Sequence, residues 1–141
     1  MRENSNGLGV DTCLLIDLAV DDPKFFDASA RLLDGKQTDG LVVCPISIVE
    51  LSPVFAGQTT AVGEFLEKLN IPWPEAWTLA DTQAAFTAWN IYVIGKRQSK
   101  LTKRPIADVL IGAFTVRFQG LLTRNASDFR QLFPVLPIIE P

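Results

Sequence analysis

The sequence predicts an α/β domain: a short, mostly parallel sheet with helices on both faces. Three observations carry this. Short apolar runs of strand type alternate with helical stripes along the whole chain, as a parallel sheet with crossover helices requires. The strand candidates are continuously apolar, as in Gly40–Cys44 (GLVVC), which suits burial on both faces. The length, 141 residues, is that of one domain, and at about 150 residues a fold buries roughly 68–70% of its unfolded surface without staples.

Taken in order, residues 1–7 read as a flexible arm and residues 8–141 as a single domain. Leu8–Asp11 is a short extended segment, and Thr12–Leu18 is apolar enough to be buried. Pro23 opens a helix over Lys24–Leu33, with Phe25, Ala28 and Leu32 on one face and Gly35 as its stop. Gly40–Cys44 is a strand between turn signals. Ser47 opens a second helix through Phe55, and Thr60–Leu69 is a third, with Val62, Phe65, Leu66 and Leu69 as its core stripe. After a break at Asn70–Pro74, Trp77–Leu79 is a candidate short strand. Asp81 then caps a long helix over Thr82–Lys96. A polar basic loop follows over Gly95–Pro105, and Pro105 suits the first turn of a helix over Ile106–Phe118. Gly120–Thr123 is a strand, Ser127–Leu132 a helical turn and Val135–Ile139 a last short strand.

Composition narrows the chemistry. The chain has no histidine, which excludes Ser-His-Asp and Cys-His catalysis and His-ligated zinc or iron. Sixteen Asp and Glu, the hydroxyls and 13 Lys and Arg remain for a polar site. Cys13 and Cys44 sit in apolar stretches and read as free buried thiols of a reducing cytosol. The first residues lack the apolar core of a signal peptide. The longest apolar run, Val109–Val116, is broken by Gly112 and Thr115 and is too short to span a membrane. The expectation is a cytoplasmic protein that makes no use of membranes.

Sites in parallel sheets lie at the carboxyl ends of strands. Asp11 follows the first strand, Glu50 follows the second by a turn of helix, Asp108 lies in a first helical turn, and Asn125 and Asp128 follow the strand at Leu121–Thr123. Each has a structural explanation. Ser47-Ile48-Val49-Glu50 has capping-box spacing. Asp108 favours a helix N-terminus, Asp11 and Asn125 suit N-caps, and Asp128 suits a first turn. Together they also suit a metal, because gathered carboxylates repel one another unless a cation sits among them. Their hard oxygens match Mg²⁺ or Mn²⁺. Gly112, Thr115 and Gln119 continue a non-apolar stripe from Asp108, either a solvated face or, with Gly112, space above the carboxylate. Asp17, Asp21, Asp22, Asp27, Asp34 and Asp39 read as surface or turn carboxylates, Asp17 being the ambiguous one between Ile16 and Leu18.

These residues, in this order, resemble a PIN domain, specifically the VapC-type toxin ribonucleases of bacterial toxin–antitoxin modules. Val10–Leu18 (VDTCLLIDL) resembles the opening strand with its first metal-site Asp, and Ile46–Leu51 (ISIVEL) the segment with the acidic Glu. Ile106–Ala113 (IADVLIGA) resembles the helix with the second metal Asp, and Leu122–Phe129 (LTRNASDF) the turn that ends the site. Cys13 stands where such proteins usually have Asn, and the fourth acidic position falls on Asn125, with Asp128 three residues on.

The resemblance implies a three-layer α/β/α sandwich and a metal-dependent endoribonuclease. Asp11, Glu50 and Asp108 would hold Mg²⁺ or Mn²⁺, with Asn125 or Asp128 completing the catalytic set. It also implies a homodimer and a cognate antitoxin, for which the helices over Lys24–Leu33 and Ser47–Leu69 are apolar enough to form a groove. For RNA, Lys96, Arg97, Lys100, Lys103 and Arg104 place five of the 13 basic residues in nine positions leading to Asp108. Arg124 stands beside Asn125, within reach of a scissile phosphate. The alternative for the basic run is a solvated loop at a helix C-terminus. Trp73, Trp77 and Trp89 read as core or partner packing ahead of base stacking. Two other readings stay open: a PIN nuclease of RNA processing, and a non-catalytic PIN-like binding module. An Asp-nucleophile phosphatase would want a second Asp where Cys13 stands.

Overall fold

The computed structural model describes residues 6–97 and 106–141. Four strands, β1 (Leu8–Val10), β2 (Leu41–Val42), β3 (Leu121–Leu122) and β4 (Ile138–Ile139), form one parallel sheet in the order β2-β1-β3-β4. Register places Gly9 beside Val42 and Leu121, and Val10 beside Leu122. Seven α-helices are described: α1 (Thr12–Ala19), α2 (Phe26–Gly35), α3 (Pro45–Leu51), α4 (Thr59–Lys68), α5 (Leu79–Arg97), α6 (Ile106–Thr115) and α7 (Ala126–Leu132). The sheet separates two cores, giving the expected three layers. Leu8, Val10, Leu41 and Leu122 point into the core under α1–α4, while Val42 and Leu121 point into the core under α5–α7. Alternate residues facing opposite helical layers explain why the strands are apolar on both sides.

Local sequence explains most boundaries. α4 ends in a Schellman turn: Asn70 takes a left-handed φ of 56°, and the Ile71 N–H donates to the Leu66 carbonyl at 2.9 Å. Thr78 and Asp81 form a reciprocal cap, each side chain accepting the other's backbone N–H, so α5 starts at Leu79. That cap uses the residues expected as a strand at Trp77–Leu79.

Three other expectations change. The apolar run after Asp11 is helix α1, not a continued strand. The helix expected at Ser47 begins at Pro45 and yields to a 3-10 turn over Ser52–Phe55. Gly7 belongs to the domain, since it is buried and its carbonyl accepts the Gln119 N–H at 2.9 Å. No helix among the described residues is long and apolar enough to cross a membrane.

Two glycines set how closely α6 approaches its neighbours. A Cβ on Gly9 would lie 2.7 Å from the Thr115 methyl, and one on Gly112 would run into the Phe133 ring. Of the stripe, Gly112 and Thr115 are therefore buried packing, while Gln119 at its end is exposed. The space above Asp108 is filled by Phe133, and the Thr115 hydroxyl donates to the Ile111 carbonyl.

Candidate functional site at the carboxyl edge of the sheet

The strand order reverses between β1 and β3, so the crevice outside their carboxyl ends is where a parallel sheet accepts ligands. α1, α3 and α7 all begin where their strands end. α6 runs back to deliver the chain to β3, which leaves its first turn, with Asp108, toward the same edge. The topology thus brings the starts of α1, α3, α6 and α7 to one edge; Asp11, Asp108, Asn125 and Asp128 lie at these starts, and Glu50 lies near the end of the short α3.

Asp11 follows β1 directly, at the strand-order reversal. It occupies the N-cap position of α1, yet its side chain caps nothing. Its Oδ2 accepts hydrogen bonds from the Thr123 hydroxyl at 2.7 Å and from the Cys13 thiol at 3.3 Å. Its residue is 3% exposed. Burial raises its pKa, against the lowering effect of those hydrogen bonds, the Thr12 amide and the charge of Arg124. Among the described residues no Lys or Arg forms an ion pair with it.

Cys13 supports Asp11 without ionising. Burial, helped by the Asp11 charge, pushes its thiol up to about 12, and burial pushes Cys44 up to about 11. Both thiols are free and protonated at neutral pH.

Glu50 does not close the capping box expected with Ser47. Its Oε1 accepts from the Thr12 hydroxyl at 2.6 Å, and that hydroxyl lies 2.8 Å from the buried Ser47 Oγ. Glu50 is exposed, so the Thr12 contact fixes one oxygen of a carboxylate that faces water. Asp108 is half-buried in the first turn of α6, and Asp128 is half-buried in the first turn of α7. Asn125 is the exposed N-cap residue of α7 with no side-chain cap bond; its N–H donates to Thr123 Oγ1 at 2.9 Å.

The donors, carboxylates and hydroxyls without imidazole, have the hard-oxygen chemistry of Mg²⁺ or Mn²⁺. Even so, among the described residues no three His, Cys, Asp or Glu side chains are gathered closely enough to hold an ion. Asp11 and Glu50 are instead each held by a hydroxyl, Thr123 on Asp11 and Thr12 on Glu50. Of the basic run, Lys100, Lys103 and Arg104 lie outside the described residues. Lys96 and Arg97 end α5, and nothing is described of their side chains.

Arg124 and Asp17 depart furthest from expectation. Asp17 is 2% exposed, not a surface carboxylate. It takes a two-pronged bond from Arg124, Nε to Oδ2 and Nη2 to Oδ1, each at 2.8 Å. Ser29 donates to the same Oδ2 at 2.8 Å. Sequence reading missed Thr123, Thr12 and this pair; the available signal was that each hydroxyl adjoins a strand-end polar position.

No protein-family model matches the chain, and no curated protein matches it. A solved structure does. The chain shares its fold with a chain of VapBC2 from Rickettsia felis. The TM-score is 0.65 over 95% of this chain and 98% of the other, at 16% identity. That crystal structure shows VapBC2 bound to a DNA fragment from its promoter.

Among the tryptophans, Trp77 is half-buried and donates its ring N–H to Thr82, while Trp73 and Trp89 are exposed. Between α2 and α4 lies a cavity of about 640 Å³ lined by Phe26, Ala30, Leu33, Phe65 and Leu69, the pair of helices expected to form a groove.

Proposed function

We propose that this protein is a VapC-like endoribonuclease that hydrolyses RNA with Mg²⁺ or Mn²⁺ and is neutralised by an antitoxin. The observation that carries this is Asp11: a buried carboxylate at the strand-order reversal, held by a hydroxyl and a thiol and, among the described residues, paired with no cation. Uncompensated charge in such a crevice is what a metal site leaves for its ion. The motif resemblance and the fold shared with a VapBC2 chain support the same reading.

Asp11, Glu50 and Asp108 would hold the ion. When bound, it supplies an acidified water and compensates charge on the phosphodiester. Thr123 orients Asp11 and Thr12 orients Glu50 through their hydroxyls. Glu50, exposed beside Thr12, or Asp128 on α7 takes the proton of the attacking water. The groove between α2 and α4, apolar at Phe26, Leu33 and Phe65 and charged at Asp21, Arg31, Asp34 and Lys68, suits an amphipathic segment of the antitoxin, and the basic run 96–104 suits the RNA backbone. A homodimer completes the reading.

The test is RNA cleavage with Mn²⁺, comparing wild type with Asp108→Asn and with chelator. Loss in both is expected; activity that survives both would defeat the metal mechanism. One observation favours a second reading, a non-catalytic PIN-like module: among the described residues no three carboxylates are gathered. Calorimetry showing no Mn²⁺ binding at millimolar metal would select it.

A further inference from the structure

The geometry points to Arg124, with Asp17, as a positioning pair that fixes the Thr123–Asn125 turn and through it the Asp11 carboxylate. This inference rests on the nuclease reading above.

Arg124 sits between two residues that already act on the crevice. Thr123 Oγ1 donates to Asp11 Oδ2, and the same oxygen accepts the Asn125 N–H. The connection from β3 to α7 is thus one short turn, and the orientation of residue 124 sets where the Thr123 hydroxyl points. The Arg124 side chain is anchored by two partners, Asp17 and Phe25. Two of its nitrogens fork onto the two oxygens of Asp17. Its guanidinium carbon lies 3.8 Å from the centre of the Phe25 ring. Phe25 is itself held, since Asp22 Oδ1 accepts the backbone N–H of Lys24 at 2.8 Å and of Phe25 at 2.9 Å. Ser29 of α2 holds Asp17 in turn.

A two-pronged bond fixes orientation as well as distance, and a lysine cannot reproduce it. Asp17 is buried and has no route to a nucleic acid. Asp17 takes the Nε–Nη2 edge of Arg124, so the guanidinium is already oriented and only Nη1 and one Nη2 proton are left for another partner. The proposed role of Arg124 is therefore to act through Thr123 rather than on the scissile phosphate.

The experiment uses the whole chain and the variants Arg124→Lys, Arg124→Gln, Asp17→Asn and Asp17→Asn/Arg124→Gln. The first readout is amide hydrogen exchange at Asn125 without metal or RNA. Each variant should speed it about tenfold or more, as expected when local opening replaces a held turn. The second readout separates kcat from KM. The expected result is a kcat about tenfold lower with KM and its salt dependence unchanged, the same for Asp17→Asn as for Arg124→Gln, and no larger in the double variant.

A raised KM with a weaker salt dependence in Arg124→Gln, beside a wild-type Asp17→Asn, would overturn the proposal and make Arg124 a phosphate ligand. Unchanged Asn125 exchange would also overturn it. Arg124→Gln strands a buried carboxylate and is the variant at risk of not folding. The double variant has no such charge and then carries the test. Should the wild type neither bind Mn²⁺ nor cleave RNA, the nuclease reading fails while Asn125 exchange still decides the clamp.

Discussion

Asp11 and Asp17 stand six residues apart on one strand–helix unit, and both are almost fully buried, yet they keep different company. Asp17 at the far end of α1 has an arginine forked onto both oxygens and a serine beside it. Asp11 at the carboxyl edge has a hydroxyl and a thiol. The same residue type is therefore compensated in one place and left short of positive charge in the other. A compensated buried carboxylate ties elements together. One that is not compensated lowers stability where it stands, and such a position suits a site that awaits a cation. Asp81 falls on the Asp17 side: it is 2% exposed and takes Arg117 Nε at 3.0 Å, while Arg117 also reaches Glu75 and stacks on Phe114 and Phe118.

The comparison breaks most directly at Asp81. Arg117→Ala leaves that carboxylate buried without its cation and should destabilise the fold by about 3–5 kcal/mol in urea denaturation. A loss below about 1 kcal/mol would show that pairing is not what marks a structural aspartate here. Next in size, Asp11→Asn should lower Mn²⁺-dependent RNA cleavage at least about 100-fold, which is about 2.7 kcal/mol in the barrier. Cleavage within about threefold of wild type would remove Asp11 from the site. Gly112→Ala tests the packing that seats α6. Its new methyl meets Phe133, and overpacking of this kind costs about 1–3 kcal/mol, visible as a lowered Tm.

The smallest effect is the sharpest in sign. Burial raises the Asp11 pKa, so folding favours its protonated form. Its contribution to stability is therefore full below the ordinary carboxylate pKa and is lost as pH rises through the raised folded value. Asparagine stays neutral at every pH. The variant should match wild type in acid and exceed it in Tm at neutral pH, with the gap opening across that window. A gap that closes as pH rises would mean that the folded pKa is lowered, as an undetected cation would make it.

Much of this was legible in the sequence, for local reasons. Alternating strand and helix signals, apolar strands and polar residues after strand ends fixed the parallel sheet and the edge on which to look for a site. Asp17 was the ambiguous carboxylate, because Leu15, Ile16 and Leu18 flank it and no local pattern names a partner for its charge. On the actual helix α1, Asp17 shares a buried face with Leu14 and Leu18. The Ser47–Glu50 box had the right spacing and the wrong partner, because Thr12, 38 residues earlier, reaches Glu50 first.

By itself, the sequence determined the fold class, the absence of imidazole chemistry and the short list of polar residues at the sheet's edge. These follow from period, composition and order, which act over a few residues. Only the tertiary structure decided which carboxylates are compensated. The Thr123 bond to Asp11 spans 112 residues and the Arg124 bond to Asp17 spans 107, and no local pattern specifies either. A charge's environment is set by whatever the fold packs against it. The difference between a structural and a functional aspartate therefore exists only once the chain has folded.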